Sequence, residues 1–348
     1  MKLYTCSHCN NLLYFENSEC LICKHTVGFD AGKLILITLL NSQQGYSPIG
    51  INNLVFRYCA NADFGTCNWL IPITQSSPFC TACALNRTIP ALSNEKNNKE
   101  WKRIEIAKHR LVYSLLRLGL PVQPKINKED VTGIAFDFMA DSSPNERVMT
   151  GHDNGVITLN IEEADEGERV RHKLDLGEKY RTLLGHFRHE IGHYYWEVLI
   201  KDSQYLEKFR QLFGDEQKDY SQALETYYKT DTPSNWNDFF ISPYASSHPW
   251  EDWAESWAHY MHLMDSLETA WSFGIGIHQP GVKITIANDP YSIANFDTII
   301  SSWFPLTFAV NNLNRSMGQA DFYPFIISAP VIEKLKFIHG VCRVGQVG

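Results

Sequence analysis

Eight of the nine cysteines in this chain lie before residue 84, six of them as Cys-x-x-Cys pairs. The first two pairs, Cys6/Cys9 and Cys20/Cys23, fall within residues 1–30, a stretch too short to bury a core of its own. Each pair sets two thiolates on one turn, and two such turns complete a tetrahedral zinc shell whose binding supplies the folding energy. This is the pattern of a zinc ribbon, a closed structural site with no open position for chemistry. The second set, Cys59, Cys67, Cys80 and Cys83, has one pair at standard spacing, yet four cysteines so close together predict a second zinc. His8 and His25 are substitute ligands that two complete cysteine sets make unnecessary, and a redox role for a pair is the minor alternative. Cys342 stands apart and is expected to be a buried or surface thiol.

Cysteines spaced for metal rather than for disulfides point to a reducing compartment. No apolar run approaches the roughly 18 residues that span a bilayer. Met1–Cys6 lacks the apolar segment of a signal peptide. The expectation is a cytoplasmic protein without a membrane partner. The net charge of −8 is uneven: residues 1–125 hold 13 Lys+Arg against 7 Asp+Glu (+6), and the remainder 18 against 32 (−14). Two four-thiolate zinc sites, each about −2, bring the front region near +2, so a nucleic-acid partner is not indicated.

The polar run Ser93–Lys99 reads as a linker, which divides the chain into a ribbon region, 1–92, and a larger domain, 98–345. Beyond it, Ile104, Ala107, Leu111, Leu115 and Leu118 recur at helical spacing until Gly119 and Pro121. Strands are expected at 133–139 and 156–161, the second behind an Asp153-Asn154-Gly155 turn. Helices are expected at about 177–200, 203–229 in two pieces, 250–266 and 294–316, with Pro305 inside the last. The class is therefore α+β: small cysteine-rich modules, then a mainly helical domain with a small sheet.

Within the first of those helices stands His189-Glu190-Ile191-Gly192-His193, a His-Glu-x-x-His motif. Histidines four apart share a helix face and can hold one zinc, and Glu190 is placed to take a proton from a zinc-bound water. The spacing of a metzincin would need Gly and His at positions occupied by Trp196 and Leu199, which excludes that class. A third ligand must come from elsewhere. Glu251, Glu255 and His259 are each four apart, so one face of the 250–266 helix carries all three, and Ala254 and Ala258 let it approach a partner helix. Trp250, Trp253 and Trp257 argue that this helix is buried, and buried carboxylates need partners.

Glu251-x-x-Ala254-Glu255 resembles the glutamate helix of the gluzincins, which implies Glu251 as the third ligand and Glu255 as the residue orienting the first histidine; the reverse stays open. Nearly the whole chain resembles a bacterial family of zinc-binding metallopeptidases with an N-terminal zinc-ribbon domain. The resemblance rests on Cys6–Cys23, Cys67-Asn68-Trp69, Tyr180–Glu190, Glu251–Glu255, Leu313–Gly318 and Tyr323-Pro324-Phe325. It implies a zincin fold and a peptidase, with one catalytic and two structural zinc ions and a peptide or protein substrate. In that reading Glu190 is the general base, Val156–Ile161 is the edge strand that aligns substrate, and Tyr244, His248 or His259 is the oxyanion electrophile. For Tyr244 a packed aromatic, for His248 a helix cap, and for Arg315 a structural salt bridge are the alternatives. His186, one turn before His189, is expected to pack or to stand behind the ligands rather than to bind metal, and His152 and His278 stay unassigned. Two other functions compete: a ribbon module that binds protein or nucleic acid beside a dead His/Glu site, and a zinc amidase. Glu190 speaks against the first, because a purely structural site needs no base.

Overall fold

A computed structural model describes residues 1–51, 53–141, 148–165, 167, 182–230, 234–279 and 282–344. The chain divides into two compact units: Met1–Arg117 with Pro121–Arg169, and Leu118–Leu120 with Val170–Gly348.

In the first unit, β1 (Tyr4–Thr5) and β2 (Leu12–Leu13) form a short hairpin, from which the first cysteine pair hangs. Strands β3 (Thr26–Asp30), β4 (Ile35–Ser42), β5 (Gly45–Pro48), β6 (Phe56–Tyr58) and β7 (Leu70–Pro72) follow as an antiparallel meander. It curls until its ends meet, Phe29 N–H donating to the Asn68 carbonyl at 2.9 Å. Phe15, Phe29 and Trp69 fill the inside with rings 4.8 to 6.3 Å apart.

Helix α1 (Glu95–Arg117) completes that core: its Tyr113 ring lies 5.4 Å from Phe15 and its Trp101 5.8 Å from Phe64. The polar run at 93–99 is therefore only briefly a linker. Asn94 Oδ1 accepts from Lys96 N and Asn97 N, and this cap starts the helix at Glu95. Gly119, at φ +68°, ends it as expected. By packing, the first unit thus runs past the linker through the small sheet that follows.

That sheet joins β8 (Asn86–Thr88), β9 (Ala135–Met139), β10 (Gly151–Asp153) and β11 (Val156–Asn160) in the order β10-β11-β9-β8. Asn154 and Gly155, both at positive φ, make the tight turn of the β10–β11 hairpin. The remaining pairings are parallel. Val156–Ile161 was expected as an edge strand, and the sheet corrects this. β11 is paired with β9 along its length and with β10 over Val156–Thr158, so it lies inside the sheet rather than at its edge.

Among its described residues the second unit is helical: α2 (Leu183–Leu199), α3 (Leu206–Phe213), α4 (Tyr220–Lys229), α5 (Pro249–Ser272), α6 (Phe296–Ser316) and α7 (Ala329–Val344), with a hairpin, β12 (Gly276–Gln279) and β13 (Val282–Thr285). Pro305 sits inside α6 as expected; α7 was not foreseen, and residues 177–181 of the expected first helix lie outside the described residues. No described helix is long and apolar enough to cross a membrane.

Helices α2 and α5 form the centre of this unit. Thr182 caps α2, its hydroxyl accepting from Gly185 N at 3.0 Å. On α5, Trp253 and Trp257 are fully buried, as the interleaved tryptophans suggested. Trp253 Nε1 donates to the Gly192 carbonyl at 2.8 Å, and Trp257 stacks on Tyr195 at 5.1 Å. A Cβ on Gly192 would stand 3.2 Å from Ala254 Cα and from Trp257 Cβ, so the two backbones touch where α2 carries its histidines. Gly192→Val is expected to lower stability by about 1–3 kcal/mol through overpacking, read as a lower denaturant midpoint. An unchanged midpoint would show that the helices are not in close contact there.

Candidate functional site

Helical spacing puts His189 and His193 on the α2 face that meets the first turn of α5, where Glu251 lies. His189 Nε2 and His193 Nε2 are 3.2 Å apart. Glu251 Oε2 lies 3.1 Å from the first and 3.6 Å from the second, with only 1% of the residue exposed. A tetrahedral ion bound at 2.0–2.1 Å needs ligand atoms about 3.3–3.4 Å apart, so this triad has the dimensions of three zinc ligands. The electrostatics agree. Burial disfavours a charged His189, but Glu251 and Glu255 outweigh it and raise its pKa well above the ordinary range. Burial likewise opposes ionised Glu251, yet the two histidines hold its carboxyl well below the usual range. The donor set calls for positive charge at its centre, which a divalent cation supplies.

The other acidic residues stand behind this triad. Glu255, one turn along α5, takes the opposite ring nitrogen: His189 Nδ1 donates to Glu255 Oε1 at 2.7 Å. Glu255 Oε2 accepts from Ser242 Oγ at 2.6 Å, and Ser242 Oγ accepts from Ala245 N. This chain fixes the tautomer and tilt of His189 so that Nε2 faces Glu251. Glu251 Oε1 accepts from the Tyr220 hydroxyl at 2.6 Å. The Trp250 ring lies 4.2 Å from that of His193. Glu190 is buried on α2, with His186 Nε2 3.2 Å from its Oε1. Burial would raise the Glu190 pKa, but His186 and the other histidines outweigh it and keep the group a carboxylate, the form a base needs.

His248 is not an electrophile, contrary to one expectation. It is the N-cap of α5: Nδ1 accepts from Trp250 N at 3.1 Å and Nε2 donates to the Lys218 carbonyl at 3.1 Å, so both nitrogens are committed to backbone. His259 shares a hydrogen bond with Tyr323 (2.7 Å) and packs 4.3 Å from Phe325; burial pushes its pKa down to about 4. Tyr244 stays beside the site, its ring 6.1 Å from that of His189, its phenol pKa raised by burial and by Glu251. Arg315 makes a bidentate pair with Asp321, both contacts 2.7 Å. Sequence reasoning missed Tyr220 and Ser242. Ser242 precedes the Pro243-Tyr244 turn, a signal of a fixed turn, whereas nothing in the sequence singles out Tyr220 among sixteen tyrosines.

In the first unit the cysteines gather as the spacing predicts. Sγ atoms of Cys6 and Cys23, and of Cys9 and Cys20, are 3.6 Å apart; Cys67 and Cys80 are 3.7 Å apart. A tetrahedron of thiolates at 2.3 Å from zinc has edges of about 3.8 Å, and a disulfide would need about 2.05 Å. All four sulfurs of each set, including Cys59 and Cys83, lie within 4.8 Å of one another. Helix α1 backs the second set: His109 Nε2 is 3.6 Å from Cys83 Sγ, and His109 Nδ1 donates to the Glu105 carbonyl at 2.6 Å. His8 and His25 stack on each other at 4.0 Å beside Cys23. Cys342 is buried.

Comparison with known proteins matches residues 97–341 to a family described as "Putative zinc-binding metallo-peptidase" and residues 3–94 to a zinc-ribbon domain. Uncharacterized proteins of Mycobacterium bovis and of Mycobacterium tuberculosis are 42% identical over 342 residues, 98% of this chain and 95% of theirs. No solved structure matches.

The two roles on α5 separate by mutation. Glu255→Ala is expected to weaken zinc binding at the histidine site by about ten- to a hundredfold in chelator competition. His248→Ala is expected to cost about 0.5–2 kcal/mol of stability through the lost cap and to weaken zinc binding less than Glu255→Ala does. The opposite pattern would reverse these assignments.

Proposed function

The chain belongs to the family of zinc-binding metallopeptidases, and on that premise we propose that it is a zinc-dependent peptidase. In this reading His189, His193 and Glu251 hold the catalytic zinc, Glu255 orients His189, and Glu190 is the general base. Two further zinc ions, on Cys6/Cys9/Cys20/Cys23 and Cys59/Cys67/Cys80/Cys83, are structural. The ribbon region is taken as 1–92 and the peptidase region as 98–345. The observation that carries the reading is the approach of His189 Nε2, His193 Nε2 and Glu251 Oε2 to within 3.6 Å of one another, with the Glu190 carboxylate on the same helix.

Zinc bound there supplies Lewis acidity, which brings the pKa of water to about 7 and polarises a carbonyl. Glu190 accepts the proton of the attacking water and returns it to the leaving amine, so amide and water become carboxylic acid and amine. His186 holds one Glu190 oxygen at 3.2 Å, which fixes the direction of the other. Glu255 and Ser242 keep His189 in the one tautomer that presents Nε2. Tyr244 remains the candidate to stabilise the oxyanion. The substrate class is a peptide or protein. Nine cysteines, none of them in a disulfide, favour a cytoplasmic site of action. The ribbon region is assigned, beyond its zinc ions, the recruitment of a partner protein.

Glu190→Gln is expected to retain the wild-type zinc content while cleavage in a peptide-library screen falls by about two to four orders of magnitude. Undiminished cleavage would remove Glu190 from the mechanism. Cleavage of simple amides with peptides left intact would instead favour a zinc amidase.

A further inference from the structure

Glu251 offers zinc two oxygens, and a carboxylate bound through both would occupy the position that a catalytic zinc keeps open for water. The two oxygens are not equivalent. Oε2 faces His189 and His193, whereas Oε1 is taken by the Tyr220 hydroxyl at 2.6 Å, a short charge-assisted hydrogen bond. We infer that Tyr220 is a positioning residue that confines Glu251 to one-oxygen binding and thereby keeps the fourth zinc position open. This rests on the reading of His189, His193 and Glu251 as a zinc site.

The surroundings show why the phenol can do this. Tyr220 is the first residue of α4, whose start is capped by Asp219 accepting from Gln222 N at 2.9 Å. Two residues earlier, the Lys218 carbonyl accepts from His248 Nε2, so the backbone leading into Tyr220 is tied to the cap of the helix that carries Glu251. The Tyr220 ring stands edge-on to His248 at 5.2 Å and to Trp250 at 5.8 Å, and Trp250 lies against His193. Backbone, ring and hydroxyl thus all meet the first turn of α5. No residue of α4 is itself fully buried, so apolar packing alone does not fix this helix. That explains a use for His248 as well: its second nitrogen locates Tyr220.

The test uses the full chain, with Zn²⁺ affinity from chelator competition and Co²⁺ as a spectroscopic probe. Subtracting the spectrum of a His189→Ala, His193→Ala double mutant isolates the histidine site from the cysteine sites. Tyr220→Phe removes one oxygen atom from a helix without buried residues, and an unchanged thermal midpoint verifies that it folds. The expected result is a Zn²⁺ Kd about ten- to a hundredfold weaker. In the same variant the visible Co²⁺ bands should lose intensity, as Glu251 adds its second oxygen and the ion passes from four to five ligands. Tyr227→Phe, on the same helix, should change neither readout. Wild-type affinity and spectrum in Tyr220→Phe would overturn this inference while leaving the zinc site intact. A wild-type Co²⁺ spectrum no different from that of the double mutant would overturn the zinc reading and this inference together.

Discussion

The second unit depends on the contact of two helix backbones at Gly192. The absence of a side chain there lets α5 lie close against α2, since a Cβ would stand 3.2 Å from Ala254 Cα, and the same approach sets Glu251 beside the two imidazoles. The same contact explains the composition of the site's surroundings. Ala254 is small where the helices touch, and Trp253 and Trp257 are fully buried beside it. Asp252, next to Glu251, is buried too, and burial raises its pKa to about 7 although Lys334 at 2.6 Å opposes this. Lys334 also donates to the Phe239 carbonyl, so α7 clasps the first turn of α5 from the far side. Buried charge of this kind is costly unless its partner is in place, and Lys334 supplies that partner.

The first unit solves a different problem. It joins a small core, with Phe15, Phe29, Phe56 and Trp69 buried, to two cysteine sets whose sulfurs have the spacing of zinc ligands. Helix α1 then adds Trp101 and Tyr113 to the aromatic cluster and sets His109 against Cys83. The second cysteine set is thereby backed by a helix outside the ribbon's own sequence. Removing residues 1–90 would expose α1 rather than release a finished domain.

Much of this was legible beforehand for a physical reason. Cys-x-x-Cys and His-Glu-x-x-His are local spacings, and a single turn or helix face realises them wherever it stands in a fold. Glu251 and Glu255 were harder, because four-residue spacing places both on one helix face. Only the direction from which His189 arrives puts Oε2 of one beside Nε2 and Oε1 of the other beside Nδ1. Tyr220 and Ser242 act from loops and helix ends, where no period constrains the sequence. The edge strand was misjudged because β10, three residues long, leaves almost no alternating pattern to betray a neighbour. His248 before Pro249 fits two roles by sequence, and only the fold brings the Lys218 carbonyl to its second nitrogen.

The central claim is that the histidine site binds a metal of its own, separate from the two cysteine sites. Elemental analysis of zinc per chain, in the wild type and in a His189→Ala, His193→Ala double mutant, tests it directly. The account predicts three zinc ions per wild-type chain and two in the mutant, each cysteine set keeping one. Two zinc ions in both proteins, with none gained by the wild type on dialysis against added zinc, would contradict it.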